Sequence, residues 1–286
     1  MPTPARHDEI RSLIMRETLR AETAGTPLAF HTLQPLYAEQ NAHGIDLSQK
    51  VYRLVDTCHL CPDIATARLT LANIGPAVWG DALENVLRGA TFPDPVTGGH
   101  IDIRTLMDSY YGSCWTNQAE SQNAWDTFGY EPTKVRIEST VGQLLAALMQ
   151  PSDPYYGLHL YAGLVDYRPA ATLQSWITTI SMEDLMDSQG HKLSLALSVV
   201  RDDFVGESEV RIIYSHHKDE PWVKSNVSIA PHPGNSQGFA SVPCQWDNLV
   251  NSITVRSDLT VAAHAALTST LATAGISVPI QPSSIV

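Results

Sequence analysis

The sequence predicts an α+β fold, and three observations point to it. Segments that alternate apolar and polar residues interleave irregularly with segments of helical period, with no orderly strand–helix–strand succession. No internal repeat, low-complexity tract or domain-splitting linker interrupts the chain. Its 286 residues, 43% of them apolar, suffice for a substantial core. The expected organisation is an N-terminal helical arm over residues 1–48, followed by a single α+β domain over 49–286.

The elements follow in order. Ile10, Leu13, Ile14, Met15 and Leu19 recur at helical spacing between His7 and Ala21, and a looser stretch with Gly25, Pro27, Pro35 and Gly44 completes the arm. Lys50–Val55 is β-branched and aromatic, placing Val51, Arg53 and Val55 on one face and Tyr52 and Leu54 on the other. Residues 57–87 are mixed and end in an acidic segment, and 89–104 read as a loop. Tyr110–Thr116 and Lys134–Ile137 are expected strands. Val141, Leu144, Leu145, Leu148 and Met149 form a helical stripe that stops before Pro151. A buried strand is expected over Leu158–Tyr167. Helices are expected around Leu173–Ile180 and Leu193–Phe204, and then a strand at Val210–Tyr214. A loop over Ser215–Gly238, a strand near Ile253–Val255 and a helix Leu259–Ala274 capped by Gly275 close the chain.

Composition excludes several classes. The net charge of −12 disfavours a nucleic-acid partner, because affinity for a phosphate backbone comes from clustered Lys and Arg. No run approaches the ~18 apolar residues of a membrane helix. The segment Met1–Leu13 is charged where a secretory signal is apolar, and four cysteines suit a reducing compartment, so a cytoplasmic location is expected. The sequon at Asn226 then carries no meaning.

Several motifs yield to simpler readings. Gly234-Asn235-Ser236-Gln237-Gly238 fits a nucleophile elbow, but Pro231-His232-Pro233 precedes it and no helical period follows, so it reads as a surface loop. Cys58-His59-Leu60-Cys61 lacks a second knuckle and reads as core thiols, with no metal expected. His216-His217 reads as a solvated loop, and Gly190-His191-Lys192 lacks the upstream glycine of a phosphate loop. One arrangement remains. In an extended chain Glu207, Glu209 and Arg211 share a face, with the carboxylates about 6–7 Å apart. Its plain reading is an exposed strand face where Arg211 pairs with a glutamate, worth about 0–1 kcal/mol.

Five blocks in one order resemble an uncharacterised family of bacterial domains. They are Val51-Tyr52-Arg53, the Trp79/Asp81/Glu84 segment, Ser113–Trp125, His191 through Arg211, and a tail from Val242 that contains Trp246. The order is also similar to the ADP-ribosyltransferase superfamily in its arginine–serine–glutamate form, although its Ser-Thr-Ser motif here reads Ser113-Cys114-Trp115-Thr116. The resemblance implies a split antiparallel sheet with flanking helices, NAD as substrate, and a bacterial defence or toxin setting. It implies that Arg53 holds the NAD pyrophosphate or ribose and that Ser113 braces the catalytic glutamate. Glu209 would bind the nicotinamide-ribose hydroxyl, and Glu207 would approach the acceptor. Tyr52, Trp115 and Trp125 are the candidates to stack on nicotinamide. These residue types suit the chemistry. Cleaving the nicotinamide–ribose bond builds positive charge that a preorganised carboxylate stabilises, and a guanidinium fork matches a pyrophosphate.

The acceptor, a macromolecule or a small molecule, is not specified, nor is a second copy or a cognate protein partner. A competing reading is a non-catalytic ligand- or partner-binding module, with Glu209–Arg211 as a structural pair and Trp79, Trp115, Trp125 and Trp246 as anchors. A third is a hydrolase that pairs Asp81 and Glu84 with Glu209.

Overall fold

A computed structural model describes residues 4–81, 83–94, 96–128 and 131–285. The strands are β1 (Ala42–His43), β2 (Lys50–Asp56), β3 (Arg68–Asn73), β4 (Thr91–Pro93) and β5 (His100–Asp102). They continue with β6 (Tyr110–Thr116), β7 (Lys134–Thr140), β8 (Leu160–Leu164), β9 (Asp166–Arg168) and β10 (Val199–Arg201). The last are β11 (Glu209–Ser215), β12 (Ser228–His232), β13 (Asn235–Pro243), β14 (Ser252–Val255) and β15 (Ile280–Pro282). Eleven of these form one mixed sheet; β4–β5 and β9–β10 pair separately. Apart from the parallel pairs β1–β8 and β14–β15, neighbours in the large sheet are antiparallel. The fold is α+β.

The sheet forks at β6. One edge of β6 pairs along its length with β11, from Glu209 opposite Thr116 to Ser215 opposite Tyr110. Two strands share its other edge: Tyr52 of β2 pairs with Thr116, while Ala72 and Asn73 of β3 pair with Gly112 and Tyr111. Both run antiparallel to β6 but pair with different residues along that edge, and they diverge beside Ser113–Trp115. From the fork β2 continues into β7, β14 and β15, and β3 into β13 and β12. The helix Thr57–Ala65 joins β2 to β3. This is a split sheet, antiparallel at its centre.

Alternate residues of β11 serve two cores, as a strand covered on both faces must. Val210, Ile212 and Tyr214 join the larger core with Val51, Leu71 and Trp115, whereas Ile213 joins Tyr161, Met107 and Leu197 in the smaller. The helix Val141–Leu148 forms as its spacing predicts, closed by a capping box between Thr140 and Gln143. The C-terminal helix Val261–Thr273 is followed by Gly275 at φ +71°. No helix among the described residues is long and apolar enough to cross a membrane.

Several expectations need amendment. The arm contains two helices, Pro4–Ala24 and Phe30–Gln40, the second with Pro35 inside it. Ile10, Ile14 and Leu33 pack in the larger core and β1 extends the sheet, so the arm shares the domain's interior. Burial of Leu33 and Ala38 overrides the proline signal. The mixed stretch after Thr57 contains β3, and 89–104 contains the hairpin β4–β5. The expected helix Leu193–Phe204 ends at Ala196, because the β-branched Val199 and Val200 pair with β9. The expected loop 215–238 contains a helical turn, Pro221–Asn226, and most of the hairpin β12–β13. Gly234-Asn235-Ser236-Gln237-Gly238 lies in that hairpin. Gly234 turns it at φ +86°, and an added Cβ on Gly238 would lie 2.3 Å from His232 Cβ, so both glycines serve backbone geometry. The thiols are not all core residues: Cys58 is exposed and Cys61 half-buried in the helix after β2, and only Cys244 is buried.

Candidate active site

The fork opens a cavity of about 690 Å³. Its walls carry Tyr52 and Arg53 from β2, Ser113–Thr116 from β6, Asp63 and Thr70 from around the helix–β3 connection, and Glu207 and Glu209 at the start of β11. Trp79, Phe128 and Phe239 add aromatic surface.

The two glutamates do not lie on one continuous strand. Glu207 ends a 3₁₀ turn, Asp202–Glu207, and Ser208 adopts the left-handed region at φ 44° before the strand starts at Glu209. This conformation is unfavourable for a residue with a Cβ, and three contacts hold it. Thr116 Oγ1 donates to the Glu207 carbonyl at 2.7 Å, and Gln118 donates to Ser208 Oγ at 2.8 Å. The Glu209 amide donates to the Tyr167 hydroxyl at 2.8 Å. The bend therefore aims both carboxylates at the cavity, where an extended chain was expected to do so.

Glu209 is buried and doubly held. Arg211 donates to both its oxygens, at 2.9 and 3.1 Å, and also to Glu84 at 2.7 Å and to the Leu197 carbonyl at 2.7 Å. The guanidinium lies 4.5 Å from the ring centre of Trp79. The strand face is thus not exposed: Arg211 is 1% accessible, and it neutralises one of two buried carboxylates. Asp81 is engaged elsewhere, by Arg201 at 3.0 Å. Burial raises the Glu84 carboxyl above its ordinary value, against the pull of Arg211. Glu207 has no side-chain partner among the described residues. Burial, reinforced by the Glu209 charge, pushes it up to about 7. Cys114 is exposed toward the cavity, where desolvation, with Glu209 beside it, raises its thiol well above the ordinary value.

Arg53 carries the opposite charge on the β2 side of the cavity. It forms no ion pair or hydrogen bond among the described residues, and burial opposes its charge while Asp63 and Cys114 favour it. Asp63 spends its carboxylate on Thr70, accepting from its amide at 2.9 Å and its hydroxyl at 2.7 Å. Register places Tyr52, Thr116 and Glu209 on one face of the sheet and the intervening Arg53 on the other. At the fork β2 has left β6, and both faces contribute to the same cavity.

Of the residues the sequence singled out, Tyr52, Arg53, Ser113, Trp115, Glu207 and Glu209 line this one cavity. Two of the expected roles need correction. Ser113 does not brace Glu209: it lies opposite Ile212, on the other face, and its hydroxyl accepts the Trp115 indole N–H at 3.1 Å. Trp125 does not reach the cavity; it is fully buried, its indole donating to Glu120 at 2.8 Å. Trp115 is itself 2% exposed, and Tyr52 carries Arg136 stacked 3.5 Å over its ring. Sequence reasoning assigned Glu84 no contact with Arg211 and missed Phe239. The signal for Glu84 was an acidic segment beside a tryptophan, with nothing to say which strand it met.

No protein-family model matches the chain, and no curated protein matches it by sequence. Among solved structures it is similar to DarT of Thermus sp. 2.9 in complex with NAD+, at 10% identity and a TM-score of 0.34, covering 83% of this chain and 96% of that one. The same protein in complex with ADP-ribosylated ssDNA matches at 10% identity and a TM-score of 0.31, covering 82% and 94%. Its complex with carba-NAD+ gives 10% and 0.31, covering 84% and 97%.

Proposed function

We propose that the chain cleaves the nicotinamide–ribose bond of NAD and passes ADP-ribose to an acceptor or to water, in a bacterial defence or toxin setting. The observation that carries this reading is the charge layout of one cavity: an arginine without an ionic partner among the described residues on the β2 side, and two adjacent carboxylates at the start of β11. Arg53 receives the pyrophosphate with its guanidinium fork. As the C1′–N bond breaks, the electron pair leaves with nicotinamide and positive charge spreads over the ribose. Glu209, fixed by Arg211, stands ready to hold the ribose hydroxyl and stabilise that charge. Glu207, pushed up to about 7 and with no side-chain partner among the described residues, takes the proton from the attacking hydroxyl or water.

Label transfer from tagged NAD in a cell lysate, with free nicotinamide and labelling of protein and single-stranded DNA followed separately, tests the reading. Nicotinamide release with labelling identifies a transferase, and release without labelling a glycohydrolase. Failure of the folded protein to bind NAD in calorimetry would overturn both. Arg211's hold on both Glu209 oxygens favours the second reading, a binding module on the same scaffold.

Two outcomes follow for the cavity. Arg53→Ala is expected to weaken NAD binding by roughly 10- to 100-fold, the loss of a charged bidentate contact, with the fold intact by circular dichroism. The rate of nicotinamide release is expected to rise about tenfold per pH unit up to pH ~7 and then level, as Glu207 loses its proton. Glu207→Gln should remove that limb. Stability runs the other way: a carboxyl raised in the folded state keeps its proton while the unfolded chain loses it. Stability therefore falls as pH rises from the ordinary glutamate range through about 7. Denaturant midpoints at pH 5 and 8 check the sign.

A further inference from the structure

At the far end of β11, six residues and about 20 Å from Glu209, a second group of polar side chains converges. His159 ends the short helix Tyr156–His159, His217 follows β11, and Glu220 caps the turn Pro221–Asn226. One donor atom from each lies within 4.8 Å of the other two. We propose that His159, His217 and Glu220 form a site for a divalent transition metal of the Zn²⁺ type.

The hydrogen bonds around the two rings are those a metal site requires. A carboxylate only accepts, so His159 Nδ1–H donates to Asp153 Oδ2 at 2.9 Å and leaves the Nε2 lone pair pointing away from it. His217 Nε2 is 2.9 Å from Ser215 Oγ, which leaves Nδ1 on the Glu220 side, 3.4 Å from Oε1. Each ring nitrogen distal to the cluster is thus fixed by an outer partner, the arrangement that orients metal-binding histidines. His159 is 1% exposed and Asp153 4%, so this support is buried and built in.

The contact between His159 and Glu220 is the second, independent observation. Nε2 and Oε2 lie 3.0 Å apart, yet both are inaccessible and neither has a hydrogen bond of acceptable geometry. Two acceptors this close repel unless something positive lies between them. A proton would draw them into a linear hydrogen bond; a cation coordinated by both lone pairs leaves them adjacent and unaligned. Metal–ligand bonds of about 2.0–2.2 Å at tetrahedral angles put ligand atoms roughly 3.3–3.5 Å apart. His159 Nε2 lies 3.0 Å from Glu220 Oε2, and His217 Nδ1 lies 3.4 Å from the other oxygen of the same carboxylate, Oε1, so both rings approach Glu220 at about that spacing. Three protein ligands with two imidazoles suit zinc and leave a fourth position for water or a small anion. The metal would clip the segment after β11 to the helix before β8.

The test uses the full, untagged chain carrying Cys58→Ser and Cys61→Ser, so that surface thiols are not the source of binding. It is titrated with ZnCl₂ by calorimetry and with Co²⁺ for its visible d–d bands. The expected result is one ion per chain and a Zn²⁺-dependent rise in Tm. His217→Ala, at a half-exposed ring, should abolish the Co²⁺ bands and the Tm rise. Asp153→Asn should weaken Zn²⁺ binding about 10- to 100-fold. Stoichiometric binding that survives His217→Ala, or a folded parent protein that takes up no Zn²⁺ or Co²⁺, would overturn the assignment.

Discussion

Glu209→Gln is expected to slow nicotinamide release by about 10²–10⁴-fold while leaving NAD affinity nearly unchanged. Glutamine keeps the shape of the side chain and one acceptor oxygen toward Arg211, but it withdraws the negative charge beside the ribose. That charge matters only once the glycosidic bond lengthens, so its loss appears in kcat and little in binding. The fold tolerates the change for an electrostatic reason. Arg211 still has Glu84 at 2.7 Å and the Leu197 carbonyl, and the Glu84–Arg211–Glu209 group goes from one excess negative charge to neutrality. Single-turnover kinetics with calorimetry in parallel separates the two quantities. A loss of less than tenfold, with the protein folded and NAD bound, would remove Glu209 from the chemistry and favour the binding module.

Arg211→Met is expected to be the most damaging single substitution for stability, at about 3–5 kcal/mol. The guanidinium touches Glu209 twice, Glu84 once and a backbone carbonyl once, all inside the protein. Methionine fills part of the volume over Trp79 but leaves two buried carboxylates with no counter-charge. They would respond by binding protons, so the variant should recover stability as pH falls, opposite to the usual acid weakening. Adding Glu84→Gln should return part of the loss, because one unpaired charge disappears with it. Urea midpoints of the single and double variants at pH 5 and 8 supply the comparison. Equal losses for both variants would mean that Arg211 acts through packing alone.

The contrast between Arg211 on paper and in the protein shows where sequence reading stops. Its spacing from Glu209 predicted the pair, and the pair exists. Spacing priced it as a surface contact, because alternation says which residues share a face but not whether that face meets water. Every residue of β11 is buried, so the same contact becomes part of a closed network reaching Glu84, 127 residues away. The helical stripe from Val141 to Leu148 was legible because a single period of 3.6 encoded it locally. β3 was not: six residues of mild alternation carry weight only when β6 and β13 offer edges on both sides. His217 read as part of a solvated loop and is exposed there; what the sequence did not carry was its neighbour His159, which lies at the end of another element.

By itself the sequence determined what is periodic and local: the α+β class, the main strands and helices, and the residue types able to hold a phosphate or stabilise a cation. The tertiary structure decided which of them meet. Divergence of β2 and β3 along one edge of β6 opened the cavity and brought Arg53 into its wall, although strand register sets Arg53 on the face opposite Glu209. The same register gave Ser113 to Trp115, and a left-handed Ser208 turned Glu207 toward the cavity. Such convergences depend on strand pairing between segments distant in the chain, and pairing is settled by the burial of whole faces, which no short stretch of sequence contains.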